Sequence, residues 1–307
     1  MVRVLVTGVG GPAGFSLARQ LMDLGHWVLG VDMKRFPAST ADALSVVSPS
    51  SAPGYLWELR GLVAAHGIDL VVPTVSDELV MVADARDGFA PGVEVMIADP
   101  APVRIANDKY LTMKCLANAN VSVPDFALPG DFSSINEAMA RLGGSLVVKP
   151  RVSRGGRGVQ LLERTADGAR KAAEAWSFLD DSWIVQRFAP GTEYAPVVFR
   201  PWQDSGQEEL VGVLEKVELK QGRIGNALSV KRVDGQETAD VAGLAQEASA
   251  ALGLVGPVDV DIRRMWDGTP VVLEVNARFG ANSAYVPELL ERVLRSFARG
   301  TLPGRAV

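Results

Sequence analysis

Asp261, Glu274 and Asn276 are the residues of this 307-residue chain whose types and spacing most plainly could do chemistry. Asp261 and Glu274 fall on two apolar segments, 258–265 and 270–275, with Asn276 directly after the second, and the two are joined by Trp266-Asp267-Gly268, a sequence that reads as a hairpin turn. A strand sends alternate side chains to one face, so Glu274 and Asn276 point the same way. Asp261 reaches them from the neighbouring strand, and Asp259, which shares its face, is an alternative donor. Oxygen donors of this kind suit a hard cation such as Mg2+, which takes one or two carboxylates and completes its shell with phosphate and water. A carboxylate rising from a strand as apolar as Val271-Val272-Leu273 needs a partner or a metal.

A second constellation begins at Lys149, which ends the apolar run Leu146-Val147-Val148 and leads into Arg151-Val152-Ser153-Arg154-Gly155-Gly156-Arg157-Gly158. Glycine-rich backbone presents N–H groups to phosphate oxygens while Lys and Arg neutralise their charge. A third runs from Trp183 to Tyr194, where a buried strand meets the Pro190-Gly191 turn. Such a segment can hold an adenine ring by backbone hydrogen bonds and leave a carboxylate for ribose. A competing motif is Thr7-Gly8-Val9-Gly10-Gly11-Pro12-Ala13-Gly14, which follows a strand and opens a helix, with Asp32 closing the next strand. Read as TGxxGxxG it resembles the short-chain dehydrogenases, and Tyr110 with Lys114 supplies a YxxxK. A tight strand-to-helix turn needs glycine whether or not phosphate binds, however, and a dehydrogenase would leave the second half of the chain without a task.

These residues must be positioned by a larger frame. Strands at 2–7, 27–32, 43–47, 70–73 and 93–97 alternate with helices at 15–24, 56–66 and 78–86, the pattern of a parallel, doubly wound sheet. Residues 101–119 read as one helix, and Val123-Pro124 marks a boundary. A βαβ-like piece at 126–128, 134–142 and 145–149, with strands at 159–162 and 183–188 and a helix at 167–176, makes a small α+β unit shaped like a lid. Segments 195–199, 210–219, 223–231, 258–265 and 270–275 then form a mainly antiparallel half with helices at 236–252 and 287–297.

Composition narrows the class. A net charge of −5 lacks the basic footprint that nucleic acid or an anionic membrane would require, so neither is an expected partner. One cysteine and two histidines leave no soft-ligand metal site and no internal disulfide. The opening Met1-Val2-Arg3-Val4-Leu5-Val6 is too short an apolar run for a signal peptide, and no stretch of about 20 apolar residues is present to span a membrane. A cytoplasmic location is the expectation.

In this order the features resemble the ATP-grasp superfamily, on the branch similar to biotin carboxylase and the synthetase domains of carbamoyl-phosphate synthase. The most specific match is Glu274-Val275-Asn276-Ala277-Arg278 with Asp261 upstream; the family often has proline where Ala277 stands. The resemblance implies an α/β then α+β fold: a Rossmann-like pre-ATP-grasp domain over 1–99, linker helices and a lid over 100–188, and an antiparallel catalytic subdomain over 189–307. It implies ATP and Mg2+, with Mn2+ as a substitute, the metal being held by Asp261, Glu274 and Asn276. Arg278 and Lys149 would be catalytic, Arg278 bracing the transferring phosphate. Lys109 and Lys149 would contact the ATP phosphates under a loop made by Arg154, Gly155, Gly156 and Gly158. Gln186, Arg187 and Ala189 would line the adenine pocket and Glu193 would meet the ribose.

The implied activity is an ADP-forming carboxylate–amine ligase that works through an acyl phosphate on small-molecule substrates, with a homodimer as the candidate assembly. Substrate choice stays open among Arg200, Lys231, Arg232 and the Gly280-Ala281-Asn282-Ser283 stretch. Little sequence follows the last helix, so the extra C-terminal domain of carboxylases is not expected, which disfavours biotin carboxylation. A nicotinamide-dependent reductase using the first glycine loop and a non-catalytic nucleotide-binding protein are the alternatives.

Overall fold

The computed structural model describes residues 1–298 apart from 165, 204 and 221. Runs of Val, Leu and Ile form the first sheet: β1 (Arg3–Thr7), β2 (Trp27–Asp32), β3 (Ala43–Val46), β4 (Leu70–Val72) and β5 (Glu94–Val95). All are parallel, in the order β3-β2-β1-β4-β5, and every connection but the short one from β2 to β3 crosses over through an α-helix. The helices between them are α1 (Pro12–Asp23), α2 (Tyr55–His66) and α3 (Leu79–Ala85). Gly14 sits where a Cβ would lie 2.4 Å from the carbonyl oxygen of Gly8, so α1 approaches its strand this closely only with glycine there.

The single helix expected over 101–119 is two, α4 (Pro100–Asn107) and α5 (Lys109–Asn118). Asp108 breaks it: its backbone is extended, and its side chain accepts from the N–H groups of Tyr110 and Leu111. This is a helix N-cap, and it begins α5 on Lys109.

The lid sheet contains β6 (Phe126–Ala127), β7 (Leu146–Pro150), β8 (Gln160–Leu162) and β9 (Trp183–Arg187), with α6 (Ile135–Leu142) and α7 (Ala166–Trp176). Its order, β6-β9-β7-β8, differs from the βαβ unit expected, because β9 inserts between β6 and β7 and every pairing is antiparallel. Phe132, Ile135, Met139, Leu146, Val148 and Val185 give this unit a core of its own.

The third sheet holds β10 (Glu193–Tyr194), β11 (Val197–Arg200), β12 (Leu210–Gly212), β13 (Leu214–Leu219), β14 (Ala227–Arg232), β15 (Gly256–Arg264) and β16 (Pro270–Asn276), flanked by α8 (Ala239–Ala251) and α9 (Glu288–Ala298). The long strand expected over 210–219 is divided at Val213, since β12 pairs with β11 while β13 pairs with β10 and β14. The strand expected from 223 starts only at Ala227. β15 is central, with β10 and β11 along one edge and β16 along the other. The first and third sheets share two hydrophobic cores, one joining Leu5, Val31 and Val71 to Val258, Val260 and Ile262.

Candidate active site

The β15–β16 ladder pairs Asp259 with Asn276 and Asp261 with Glu274, so all four oxygen-bearing side chains stand together on one patch of sheet. Between Asp261 and Ile262 the register slips: Ile262 pairs with Val272, and Leu273 is left without an opposite residue. The bulge re-aims the strand. Its released Leu273 carbonyl accepts a hydrogen bond of 2.8 Å from Lys149 Nζ, brought over by β7 of the lid. Lys109, the first residue of α5, stands 3.4 Å from Glu274 Oε1 and donates to the Ser153 carbonyl at 3.0 Å. Both lysines are buried. Burial pushes the Lys149 ammonium down to about 8, with Lys109 adding to the effect and Glu274 and Asp261 opposing it.

Lys216, which no motif in the sequence marks, joins this group. On β13 it lies 2.6 Å from both Glu193 Oε1 and Asp261 Oδ1, and Arg263 Nη1 is 3.4 Å from the other oxygen of Glu193. Burial acts to lower the Lys216 pKa, but Asp261 and Glu193 outweigh it and hold the ammonium above the ordinary lysine range. The only linear signal was the alternation of a strand whose partner could not be read. Asp259 is pushed up to about 6 by burial, with Asp261 and Glu274 adding and Arg278 and Lys216 opposing. Arg278 Nη1 is 3.6 Å from it and donates to the Phe279 carbonyl at 3.0 Å.

Two adjoining cavities meet at this patch, and Gly156, Lys216, Asn226, Asp261 and Glu274 line both. The inner one is walled by Lys149, Gln186, Arg187, Phe188, Ala189 and Glu193, so the segment read as an adenine and ribose site does surround a single space. Ile224, Gly225 and Asn226, expected as strand, bend into it instead. The outer one, of about 480 Å3, gathers Arg154, Gly155, Gly156, Asp259, Asn276 and Arg278. Gly155, Gly156 and Gly158 have φ of +63°, +70° and +76°, a conformation that favours glycine, and Arg154 Nε is 2.8 Å from Asp77.

The first glycine loop also reaches this space: Gly8, Gly11, Pro12, Ala13 and Gly14 form the wall of the outer cavity. The substrate candidates fare differently. Ala281 and Asn282 line the cavity, whereas Arg200, Lys231, Arg232 and Ser283 line neither. Arg200 donates to the Ser249 and Leu254 carbonyls, Lys231 pairs with Glu215, Arg232 pairs with Asp234 and Glu288, and Ser283 accepts from Gln20. Tyr110 packs edge-on against Phe126, which accounts for it as a core residue beside Lys109.

Two facing carboxylates, an adjacent amide, the ammonium groups of Lys149 and Lys216 in the cavity walls and that of Lys109, which lines neither cavity, beside Glu274 suit a triphosphate and its cation. The model of the ATP-grasp domain matches residues 106–282, which spans the second sheet and the β15–β16 ladder. The chain belongs to the ATP-grasp family. Enzymes of this family use ATP with Mg2+. Among curated relatives, the glutathione biosynthesis bifunctional protein GshAB of Streptococcus thermophilus is 37% identical over 100 residues, 30% of this chain and 13% of that protein. The D-alanine–D-alanine ligase of Cupriavidus taiwanensis is 27% identical over 190 residues, 57% of this chain and 55% of the ligase. The matches therefore span about an eighth and about half of those relatives' lengths. The N5-carboxyaminoimidazole synthetase of Staphylococcus aureus, solved with ADP, shares the fold at a TM-score of 0.72 and 14% identity, over 100% of this chain and 78% of that one.

The donor set of this ATP-grasp chain fits Mg2+. Among the described residues no group of three or more His, Cys, Asp and Glu side chains forms a cage on its own. A cation on Asp261, Glu274 and Asn276 would take its remaining oxygens from phosphate and water, which is how Mg2+ is usually held.

Proposed function

We propose that this chain is an ADP-forming ligase that activates a small carboxylate, an amino acid being the first candidate, as an acyl phosphate for attack by an amine. The observation that carries the reading is the convergence of Asp261, Glu274, Asn276, Lys149 and Arg278 on two adjoining cavities, with Lys109, which lines neither, held 3.4 Å from Glu274. In this reading Asp261, Glu274 and Asn276 hold Mg2+, which draws the phosphate oxygens together and offsets their charge. Lys109 and Lys149 neutralise the phosphates, and Gly155, Gly156 and Gly158 close over them with Arg154. Gln186, Arg187 and Ala189 bound the adenine, while Glu193, fixed by Lys216 and Arg263, faces the ribose. Arg278 braces the phosphate in transfer, for which position and charge suffice and no protein nucleophile is needed.

The division of labour follows the chain: 1–99 supplies the far wall of the cleft, 100–188 the linker helices and lid, and 189–307 the catalytic floor. An amino acid is favoured because one curated relative is named a D-alanine–D-alanine ligase and one solved structure of the same fold an L-amino acid ligase.

The deciding measurement is release of ADP and phosphate over a panel of carboxylates and amines. Glu274→Ala is expected to lower turnover by roughly 100-fold or more while circular dichroism stays native. Undiminished Mg-dependent turnover in that variant would sink the assignment. Release of AMP in place of ADP would rule out the acyl phosphate.

A further inference from the structure

Arg154 stands at the seam of two spaces. It lines the outer cavity, together with Lys216, Arg278 and the carboxylates of the metal-facing patch, and it lines a neighbouring cavity of about 420 Å3 on the side of the first sheet. The ligase reading puts the phosphates in the outer cavity. The guanidinium of Arg154 is nevertheless paired with Asp77, in the short helical turn Ser76–Glu78 after β4, and of the two spaces Asp77 lines only the neighbouring one.

The pair is a loose one. Arg154 Nε lies 2.8 Å from Asp77 Oδ2, but it is buried and out of line, so it makes no hydrogen bond. The Asp77 side chain is 42% exposed and that of Arg154 29%, so water screens the attraction, and pairs of this kind contribute little. A phosphate group offers more charge, and oxygens that a guanidinium meets with two parallel N–H groups. The loop permits such an exchange. Its own backbone bonds are internal turns, Arg157 N–H to the Arg154 carbonyl and Val159 N–H to the Gly156 carbonyl, both 3.3 Å. Gly155 and Gly156, directly after Arg154, hold left-handed backbone that glycine adopts freely. Arg157, the loop's other cation, lines the outer cavity and enters no ion pair among the described residues, so Arg154 is the loop cation whose charge is held back.

We propose that Asp77 is a positioning residue that holds Arg154 off the phosphate site, and that the triphosphate of ATP wins the guanidinium from it as the loop closes. The phosphate role of Arg154 rests on the ligase reading. Asp77 thereby sets a threshold, because a molecule with the base and ribose of ATP but no phosphate leaves the Arg154–Asp77 pair in place. The sign of the effect is distinctive. Cutting a contact that merely supports the loop weakens nucleotide binding, whereas cutting one that competes for Arg154 strengthens it.

The test is calorimetric titration of the full chain with a non-hydrolysable ATP analogue and Mg2+ and, separately, with adenosine. Asp77→Asn is expected to bind the analogue about two- to fivefold more tightly than the parent, the worth of an exposed ion pair, with adenosine binding unchanged. Arg154→Ala is expected to weaken the analogue by about tenfold, and adding Asp77→Asn to that variant to change nothing further. Equal or weaker binding of the analogue by Asp77→Asn would overturn the inference. So would an equal tightening for adenosine, or a tightening that persists in full without Arg154, since either reports only the loss of a negative charge near the cleft. A parent that binds the analogue, with Asp77→Asn no tighter, sinks this inference and leaves the ligase reading standing. A parent that binds none of it sinks both.

Discussion

Lys216 bridges Glu193 and Asp261 at 2.6 Å to each, and this one ammonium links the expected ribose contact to the expected metal ligand. Replacing it by Met removes the countercharge and leaves two carboxylates in a confined space. Lys216→Met is therefore expected to lose about 3 kcal/mol of stability in a denaturant melt, as broken buried ion pairs do. Added Mg2+ should restore more of the melting temperature in this variant than in the parent, since a cation on Asp261 replaces part of the missing charge. Equal Mg2+ responses would show that Asp261 is not a ligand. Glu274 and Asp261 were legible as chemistry because carboxylates on apolar strands are conspicuous. Lys216 was not, because lysine on an alternating strand is ordinarily solvent-facing and its partners are distant in the chain.

At the scale of the element, the N-cap of α5 and the glycine loop after β7 do the positioning. Asp108 holds the first turn of α5 and also binds Arg151 through a guanidinium 2.7 Å away, which joins Lys109 to the loop that carries Arg154. Asp108→Ala is expected to cost about 1–2 kcal/mol in a thermal or denaturant melt and to raise the KM for ATP, because Lys109 loses its fixed start of helix. An unchanged KM would separate the cap from phosphate binding. Gly158 has φ of +76°, and a Cβ there would lie 2.9 Å from Pro150 Cδ. Gly158→Ala is expected to weaken ATP binding by roughly tenfold through a displaced loop, read by titration with a non-hydrolysable ATP analogue. The helix over 101–119 was legible from its periodicity, yet its break at Asp108 was not, since a cap is recognised by the hydrogen bonds its side chain makes.

In the whole molecule the second sheet has a core of its own, while the first and third sheets share theirs. ATP bridging the lid's Lys149 and the floor's Glu274 should tie these parts together. Saturating Mg-ATP is thus expected to add about 2.7 kcal/mol at a hundredfold excess over Kd, seen as a higher melting temperature. NADPH is expected to produce none. A shift with NADPH alone would return the first glycine loop to the dinucleotide role its motif suggests.

The parallel first sheet, the hairpin bearing Asp261 and Glu274, and the glycine loop that follows Lys149 were all determined by the chain's local pattern. Strand alternation, helical periodicity and turn residues act over a few positions and can be read without a fold. The insertion of β9 between β6 and β7, the bulge at Leu273 that presents a carbonyl to Lys149, and the seat of Lys216 were decided only by tertiary structure. So was the place of Gly8 to Gly14, a loop that reads as a dinucleotide turn and stands as the far wall of a cleft built mainly by residues more than 140 positions away. Such pairings depend on which surfaces bury one another across the whole chain, and no short window of sequence carries that information.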